Sequence, residues 1–123
     1  MRNYQLMRSI LCIVARANQE VKLNDFACLG AIKEVREELD RLKHEGLIEH
    51  DIIWSAETLL NGSVKCVTQE GEDFLRNIEN EHVWALVFKT LEDANLDLSY
   101  PLLKEVCDEI VKRYVMSKIP KEL

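Results

Sequence analysis

Residues 32–75 read IKEVREELDRLKHEGLIEHDIIWSAETLLNGSVKCVTQEGEDFL, and the order of patterns within this stretch decides the fold. Apolar side chains recur at the i, i+3, i+7, i+10 spacing of an amphipathic helix over residues 31–45, namely Ile32, Val35, Leu39 and Leu42. Gly46 then stands where a left-handed residue ends a helix. Apolar alternation predicts one strand from Leu47 to about Trp54 and another over residues 63–67.

The dipeptide Asn61-Gly62 lies between these two predicted strands. Asn-Gly is the strongest short-range signal for a hairpin turn, so we expect the antiparallel ribbon to reverse there. The conformation of residues 55–61 stays open, because they fit either a bulged extension of the first strand or the tip of the ribbon. Thr68 follows the ribbon as the predicted N-cap of another helix.

The residues before this stretch predict a helix over 3–17 and a short strand at 20–23. A short helix capped by Asn24 or Asp25 would follow and end near Gly30. An order of helix, strand, two helices, β-ribbon and helix is typical of a winged helix-turn-helix domain. The predicted fold class is therefore α+β, mainly α: a winged helix-turn-helix with additional C-terminal helices.

The C-terminal third predicts two more helices. After a break near Asn80, a helical pattern runs to about Asp93, and Ser99 is placed to cap a final helix that ends near Ser117. We expect a winged domain over residues 1–80 and a helical extension over 81–123, packed on the same core. The final helix is apolar around more than half its circumference, so we expect a homodimer formed through Leu103, Val106, Ile110 and Tyr114.

Size and composition indicate an ordinary globular chain of 123 residues. The longest useful apolar run, residues 10–15, is too short for a membrane span or a secretory signal, so we expect a cytoplasmic protein with no membrane partner. The four cysteines form no Cys-x-x-Cys pair, which fits a reducing compartment. Residues 44–98 hold three bases and twelve acids, so a net charge of −9 disfavours contact with a phosphate backbone there.

Nucleic-acid binding would depend on the helix over residues 31–45. Its candidate contacts are Lys33, Arg36 and Arg41. On its outward face, however, Glu37 and Asp40 stand among the bases at i, i+4 spacing, where opposite charges pair. Residues 54–63 contain no Lys or Arg. A DNA-binding surface would have to be assembled from scattered bases, namely Arg2, Arg8, Arg16, Lys33 and Arg36.

The sequence offers no candidate catalytic or metal-ligating residues. The glycines form no phosphate-binding loop or nucleophile elbow, and no Cys or His pair has zinc-ligand spacing. We therefore expect no enzyme, no cofactor and no small-molecule substrate. Apolar residues along the ribbon fit a protein partner better, and Trp54, Leu59 and Leu60 are the candidate interface there.

Several segments resemble an uncharacterised family of small proteins from phages, prophages and other bacterial mobile elements. These are YQLMRSIL at residues 4–11, LKHEGLIE at 42–49, VTQEGEDFLRNI at 67–78, and Val83-Trp84. The resemblance implies a winged-helix fold and a phage or mobile-element context, and it supplies no activity or site residue. Family members often carry Trp and His where this chain has Gln69 and Glu72, so this chain is more acidic there.

These observations favour a non-enzymatic interaction module of phage or mobile-element origin that binds a host or phage protein and dimerises. The first alternative is a DNA-binding transcriptional regulator of the winged-helix type. The second is an acidic DNA mimic that inhibits a host nucleic-acid-binding protein. The identity of the partner, any DNA sequence it binds, the oligomer number and the biological role stay open at this point.

Overall fold

The computed structural model describes residues 2–54 and 59–121, and for Trp54 and residues 59–61 it describes the backbone alone. The described chain is mainly helical with a small antiparallel sheet, as expected for an α+β fold. It consists of two compact units. The first spans residues 3–75, and the second comprises Arg2 and the described part of residues 76–123.

Helix α1, Tyr4–Arg16, confirms the helix predicted over 3–17. Its N-cap is Asn3, whose Oδ1 accepts a hydrogen bond of 3.0 Å from the amide of Leu6. One face is buried, as the apolar spacing predicts, and this face packs against other elements of the first unit. Its buried side chains are Tyr4, Leu6, Met7, Ile10, Leu11 and Val14.

The short strand and short helix that follow are present, with a different cap from the one predicted. Strand β1 is Val21–Lys22, and a 3-10 helix spans Leu23–Leu29. Because the helix already begins at Leu23, neither Asn24 nor Asp25 can be its N-cap. Instead the Asp25 carboxylate reaches back and accepts a hydrogen bond of 3.1 Å from the amide of Lys22.

Helix α2, Ile32–His44, confirms the helix predicted over 31–45. Gly46 follows it with a φ of 78°, the left-handed conformation that favours glycine. The predicted buried stripe needs one correction: Ile32 is 57% exposed, because the first turn of α2 lies beyond the core. Glu38 is buried beside Leu39, which the apolar pattern did not predict.

The predicted strand from Leu47 to Trp54 is two short strands, β2 (Ile48–His50) and β3 (Ile53–Trp54). Two further strands return, β4 (Leu59–Asn61) and β5 (Ser63–Val67). The three-stranded sheet has the order β1-β5-β2 with antiparallel pairing, and β3 pairs with β4 separately. The pairing shifts register after Glu49 and again after Ile53, so bulges interrupt the ribbon.

The hairpin turn predicted at Asn61-Gly62 is wrong. Asn61 pairs with Ile53 in the register of β3 and β4, so Asn61 belongs to a paired strand and Asn61-Gly62 is not the hairpin turn. Gly62 instead lies where the two halves of the ribbon come close together. A Cβ there would stand 2.5 Å from the Cα of Ile52, so a side chain does not fit.

Helix α3, Gln69–Ile78, begins after Thr68 as predicted. The hydroxyl of Thr68 accepts a hydrogen bond of 3.0 Å from the amide of Gly71, which is the expected cap. The same hydroxyl donates to the carbonyl of Gly46 at 2.6 Å, and the Thr68 amide donates to Leu47 at 2.9 Å. The first turn of α3 is thus fixed to the start of β2.

The second unit contains helices α4, Glu81–Ala94, and α5, Tyr100–Ser117, which pack against each other. Asn80 marks the predicted break and caps α4, because its side chain accepts from the amides of His82 and Val83. Ser99 stands at the N-cap position of α5, but its side chain makes no cap hydrogen bond, which corrects that prediction. Trp84 is buried in this unit, with its ring centroid 5.9 Å from that of Phe88.

Candidate functional site

The outward face of α2 carries the three bases predicted to contact nucleic acid. Lys33 and Arg36 are exposed, whereas Arg41 is half-buried with its Nε 3.7 Å from Oε2 of Glu45. Glu37 and Asp40 are exposed on the same helix. The face therefore mixes both signs of charge and offers no continuous run of bases to a phosphate backbone.

The wider basic surface that a DNA-binding regulator would require is also incomplete. Arg2 is only 7% exposed, so it does not contribute to such a surface. Arg8 is half-buried on α1, and Arg16 is exposed at the end of that helix. Of the five scattered bases, only Arg16, Lys33 and Arg36 are exposed.

A charged network on the first unit was not predicted from the sequence. Lys65 on β5 places its Nζ 2.9 Å from Oε1 of Glu20 and 3.1 Å from Oδ2 of Asp51. Ser63 completes it, since its hydroxyl donates to Glu20 at 2.7 Å and its amide donates to Asp51 at 2.9 Å. The network joins the residue before β1, the residue after β2 and strand β5.

These contacts change the acidity of the groups that make them. The hydrogen bond from Lys65 lowers the pKa of the Glu20 carboxyl below its ordinary value, and the bond from Ser63 adds to this. The pKa of Asp51 is lowered chiefly by the backbone amide of Ser63 and then by Lys65. The Lys65 ammonium, bound by both carboxylates, has a raised pKa. All three groups are therefore held in their charged forms.

A cavity of about 380 Å³ adjoins this network. Its wall combines the last turn of α1, the link to β1, strand β5 and the first turn of α3, with Glu20, Lys65, Cys66 and Glu72 among the lining residues. Its one lysine is engaged by Glu20 and Asp51, and the Cys66 thiol lies 3.7 Å from the Glu49 carboxylate. Acidic and neutral polar groups therefore dominate the wall.

His50 is the most buried titratable side chain of the sheet, with 3% of its side chain exposed. Its Nδ1 accepts a hydrogen bond of 3.2 Å from the amide of Ile52, and its Nε2 lies 3.2 Å from Oδ1 of Asp40 without completing a hydrogen bond. Burial lowers the pKa of the imidazole below its ordinary value, and the nearby Lys43 lowers it further, while Asp40 opposes both effects.

Neither Cys66 nor Cys107 has the lowered pKa of an activated thiol. Burial and the neighbouring Glu49 raise the pKa of Cys66. Burial, with a contribution from Asp108, raises the pKa of Cys107 to about 12. A reactive cysteine needs the opposite shift, toward the thiolate. Within residues 2–54 and 59–121, no group of three or more His, Cys, Asp or Glu side chains is arranged to hold a metal ion.

The four residues predicted to form a dimer interface on α5 do not share one environment. Leu103 is completely buried within the chain, so it does not lie on a surface open to a second copy. Val106, Ile110 and Tyr114 are half-buried. The reason is geometric: Leu103 and Cys107 form the buried stripe of α5, and the other three flank it.

A more exposed apolar surface lies at the end of α5, where Val115, Met116 and Ile119 are 55%, 58% and 44% exposed. We call these three residues the α5 end patch. Val115 and Met116 belong to the last turn of α5, and Ile119 lies two residues beyond Ser117, where the helix ends. The sequence signal for them was the wide apolar face of this helix, but periodicity alone did not separate its buried side from its exposed side.

The other predicted interface, on the ribbon, comprises Trp54, Leu59 and Leu60. Their backbones belong to β3 and β4, and their side chains lie outside the described part of the structure. Beside them Ile53, which the sequence did not single out, is 61% exposed. The described part of the ribbon thus presents one large apolar side chain to solvent.

Comparison with known proteins places the chain in a family. The family model described as "Hypothetical protein (DUF2513)" matches residues 1–97. No curated protein and no solved structure matches the chain. Among the described residues, no helix is both long and apolar enough to cross a membrane. Since the matched residues make up more than half of its length, the chain belongs to the DUF2513 family of hypothetical proteins.

Proposed function

We propose that this chain is a non-enzymatic interaction module that binds a protein partner and that self-associates through α5. The observation that carries the proposal is the α5 end patch, three apolar side chains close together in sequence that are each about half exposed. Large apolar side chains gathered at one place on a surface mark an interaction site more often than scattered ones do. Apart from this patch, Ile53 is an exposed apolar residue on the ribbon.

The same proposal assigns the first unit to the winged helix-turn-helix class. Support comes from the order α1, β1, 3-10 helix, α2 and ribbon, and from the antiparallel order β1-β5-β2. The phage or mobile-element origin implied by the sequence resemblance belongs to the proposal as well. Neither assignment supplies an activity, because fold and origin do not determine function.

Self-association is the part of the proposal that can be tested first. Met116→Glu places a charge in the α5 end patch, and both residues are good helix formers, so α5 itself should tolerate the change. Leu86→Glu on α4 is the matched control, since Leu86 is also exposed, at 47%. Sedimentation velocity at tens of micromolar should show weaker association for the first variant alone, in the range of a modest interface. If both variants self-associate as strongly as the unmodified chain does, the patch has no role in self-association.

DNA binding is the second candidate, and the order of elements favours it, because most domains with this order present a helix to the major groove. The mixed charge of α2 opposes it. The two functions are distinguishable with the Met116→Glu variant. A loss of self-association without any change in duplex affinity would support the protein-interaction proposal, and tight duplex binding by the unmodified chain would favour the regulator.

A further inference from the structure

His50 occupies the point where the ribbon changes from β2 to β3. The strand pairing shifts register between Glu49 and His50, and the chain then passes through Asp51 and Ile52 before β3 begins. Within this link, the amide of Ile52 donates to Nδ1 of His50 at 3.2 Å. An imidazole thus supplies the acceptor for a backbone donor whose residue is buried.

The hydrogen bond fixes the form of the ring. A neutral imidazole carries one proton, and the nitrogen that accepts a hydrogen bond cannot be the one that holds it. The proton of neutral His50 therefore lies on Nε2, which faces Oδ1 of Asp40 at 3.2 Å. In this form the Nε2–H of His50 points toward helix α2 without completing a hydrogen bond to it.

Proton uptake would change the contacts of both ring nitrogens. In the imidazolium both nitrogens are donors, so Nδ1–H would face the N–H of Ile52 and their hydrogen bond would be lost. At the same time the positive ring would attract the Asp40 carboxylate more strongly. An added proton therefore weakens the bond to the ribbon and strengthens the contact with α2.

The surrounding charges determine how readily this occurs. From α2, Asp40 attracts a protonated ring and Lys43 repels it. From the link itself, Asp51 attracts it, but Asp51 is also bound by Lys65 of β5 at 3.1 Å. Burial opposes the charged form. The pKa of His50 is lowered as a result, so the ring takes up a proton at a lower pH than an ordinary histidine does.

We propose that His50 is a pH-sensitive latch that, on taking up a proton, releases the amide of Ile52 and frees the start of the β3–β4 ribbon. The latch acts on the ribbon whether or not that ribbon binds a partner, so it stands independently of the proposed function.

The test uses NMR of the unmodified chain. At neutral pH, ¹⁵N correlations of the His50 ring should show the proton on Nε2. As the ring titrates, the exchange protection of the Ile52 amide, corrected for intrinsic rates, should fall about five- to tenfold, the factor that one net hydrogen bond contributes. The amide of Thr68, which donates to Leu47 elsewhere on the first unit, should keep its protection.

The variant His50→Asn sharpens the test, because its amide oxygen can accept from Ile52 but does not titrate. Protection of Ile52 in this variant should not depend on pH. The proposal is overturned if neutral His50 carries its proton on Nδ1, or if the ring titrates while Ile52 stays protected. It is equally overturned if the ring stays neutral until the whole chain unfolds. The first of these readouts needs no variant, so a variant that fails to fold leaves the test intact.

Discussion

The hydroxyl of Thr68 donates a hydrogen bond of 2.6 Å to the carbonyl oxygen of Gly46, and it accepts one from the first turn of α3 at the same time. One side chain thereby connects Gly46, just after α2, to Gly71 in the first turn of α3. The ribbon between them is 21 residues long in sequence, from Leu47 to Val67, and this contact closes it at its base. The position of the ribbon therefore depends on Thr68 as well as on the strand pairing.

Replacing Thr68 with Ala should lower the free energy of unfolding by about 1–2 kcal/mol, because both the cap and the bond to Gly46 are lost. Thr68→Ser keeps the hydroxyl and should recover most of this. Ser99→Ala is the matched control at another N-cap position, since the Ser99 side chain makes no cap hydrogen bond. Urea denaturation measures the free energies of unfolding of the three variants. If Thr68→Ala costs no more than Ser99→Ala, the prediction is contradicted.

Replacing Gly71 with Ala should be more harmful, because an added Cβ would overlap the carbonyl oxygen of Leu47. Backbone atoms cannot rotate away, so we expect a cost of about 3 kcal/mol, the upper end for overpacking. At Gly46 nothing lies within 4 Å of an added Cβ, and the cost of Ala there is about 1–2 kcal/mol from the left-handed backbone alone. Thermal unfolding of the two variants should rank them accordingly, and the reverse order would show that α3 does not pack closely on Leu47.

Part of this arrangement could be predicted from the sequence. Gly46 and Thr68 were assigned correctly because each has a local backbone role that depends on few neighbours. The location of the ribbon turn could not be predicted in the same way. The Asp51 carboxylate accepts a hydrogen bond from the amide of Ser63, and the backbone of Gly62 lies close to that of Ile52. These contacts involve residues about ten positions apart, so the dipeptide Asn61-Gly62 alone does not reveal them.

In the candidate site, too, some features could be predicted from the sequence and others could not. The mixed charge of α2 follows directly from residue spacing, whereas the contacts of Lys65 with Glu20 and Asp51 join residues far apart in sequence. Leu103 and Met116 illustrate a further limit. Both belong to the apolar face of α5, yet one is completely buried and the other is 58% exposed. Which side of a wide apolar face is covered depends on tertiary packing, which helical periodicity does not specify.

Acidification should destabilise the chain in a window set by His50. The folded pKa of His50 is lowered, so the unfolded chain binds the proton at higher pH, and the free energy of unfolding should fall as pH drops from about 6.5 toward the folded pKa. Denaturant titrations between pH 7.5 and 5 check this. His50→Gln should flatten the slope, while His44→Gln, a change at an exposed position, should leave it. An equal slope in all three proteins would rule out His50 as its source.

Glu37 is the residue whose reversal should most affect DNA binding. It lies exposed on the same helix as Lys33 and Arg41, so Glu37→Lys removes a charge that repels phosphates and adds a base. We expect a measurable gain in affinity for random duplex DNA at about 50 mM salt, where electrostatic binding is strong. Glu105→Lys makes the same charge change at an exposed position on α5 and should have a smaller effect. Fluorescence anisotropy measures both affinities. If the two variants gain equal affinity for duplex DNA, α2 contributes no more to DNA binding than α5 does.

If the chain acts by protein association, its own mass in solution shows this most directly. Multi-angle light scattering across a dilution series, from about 1 to 100 μM, covers the affinities expected of a modest interface. We predict a mass that rises with concentration toward twice the 14.3 kDa of one chain. A constant mass of 14.3 kDa across the series, together with sub-micromolar binding to duplex DNA, would contradict the account.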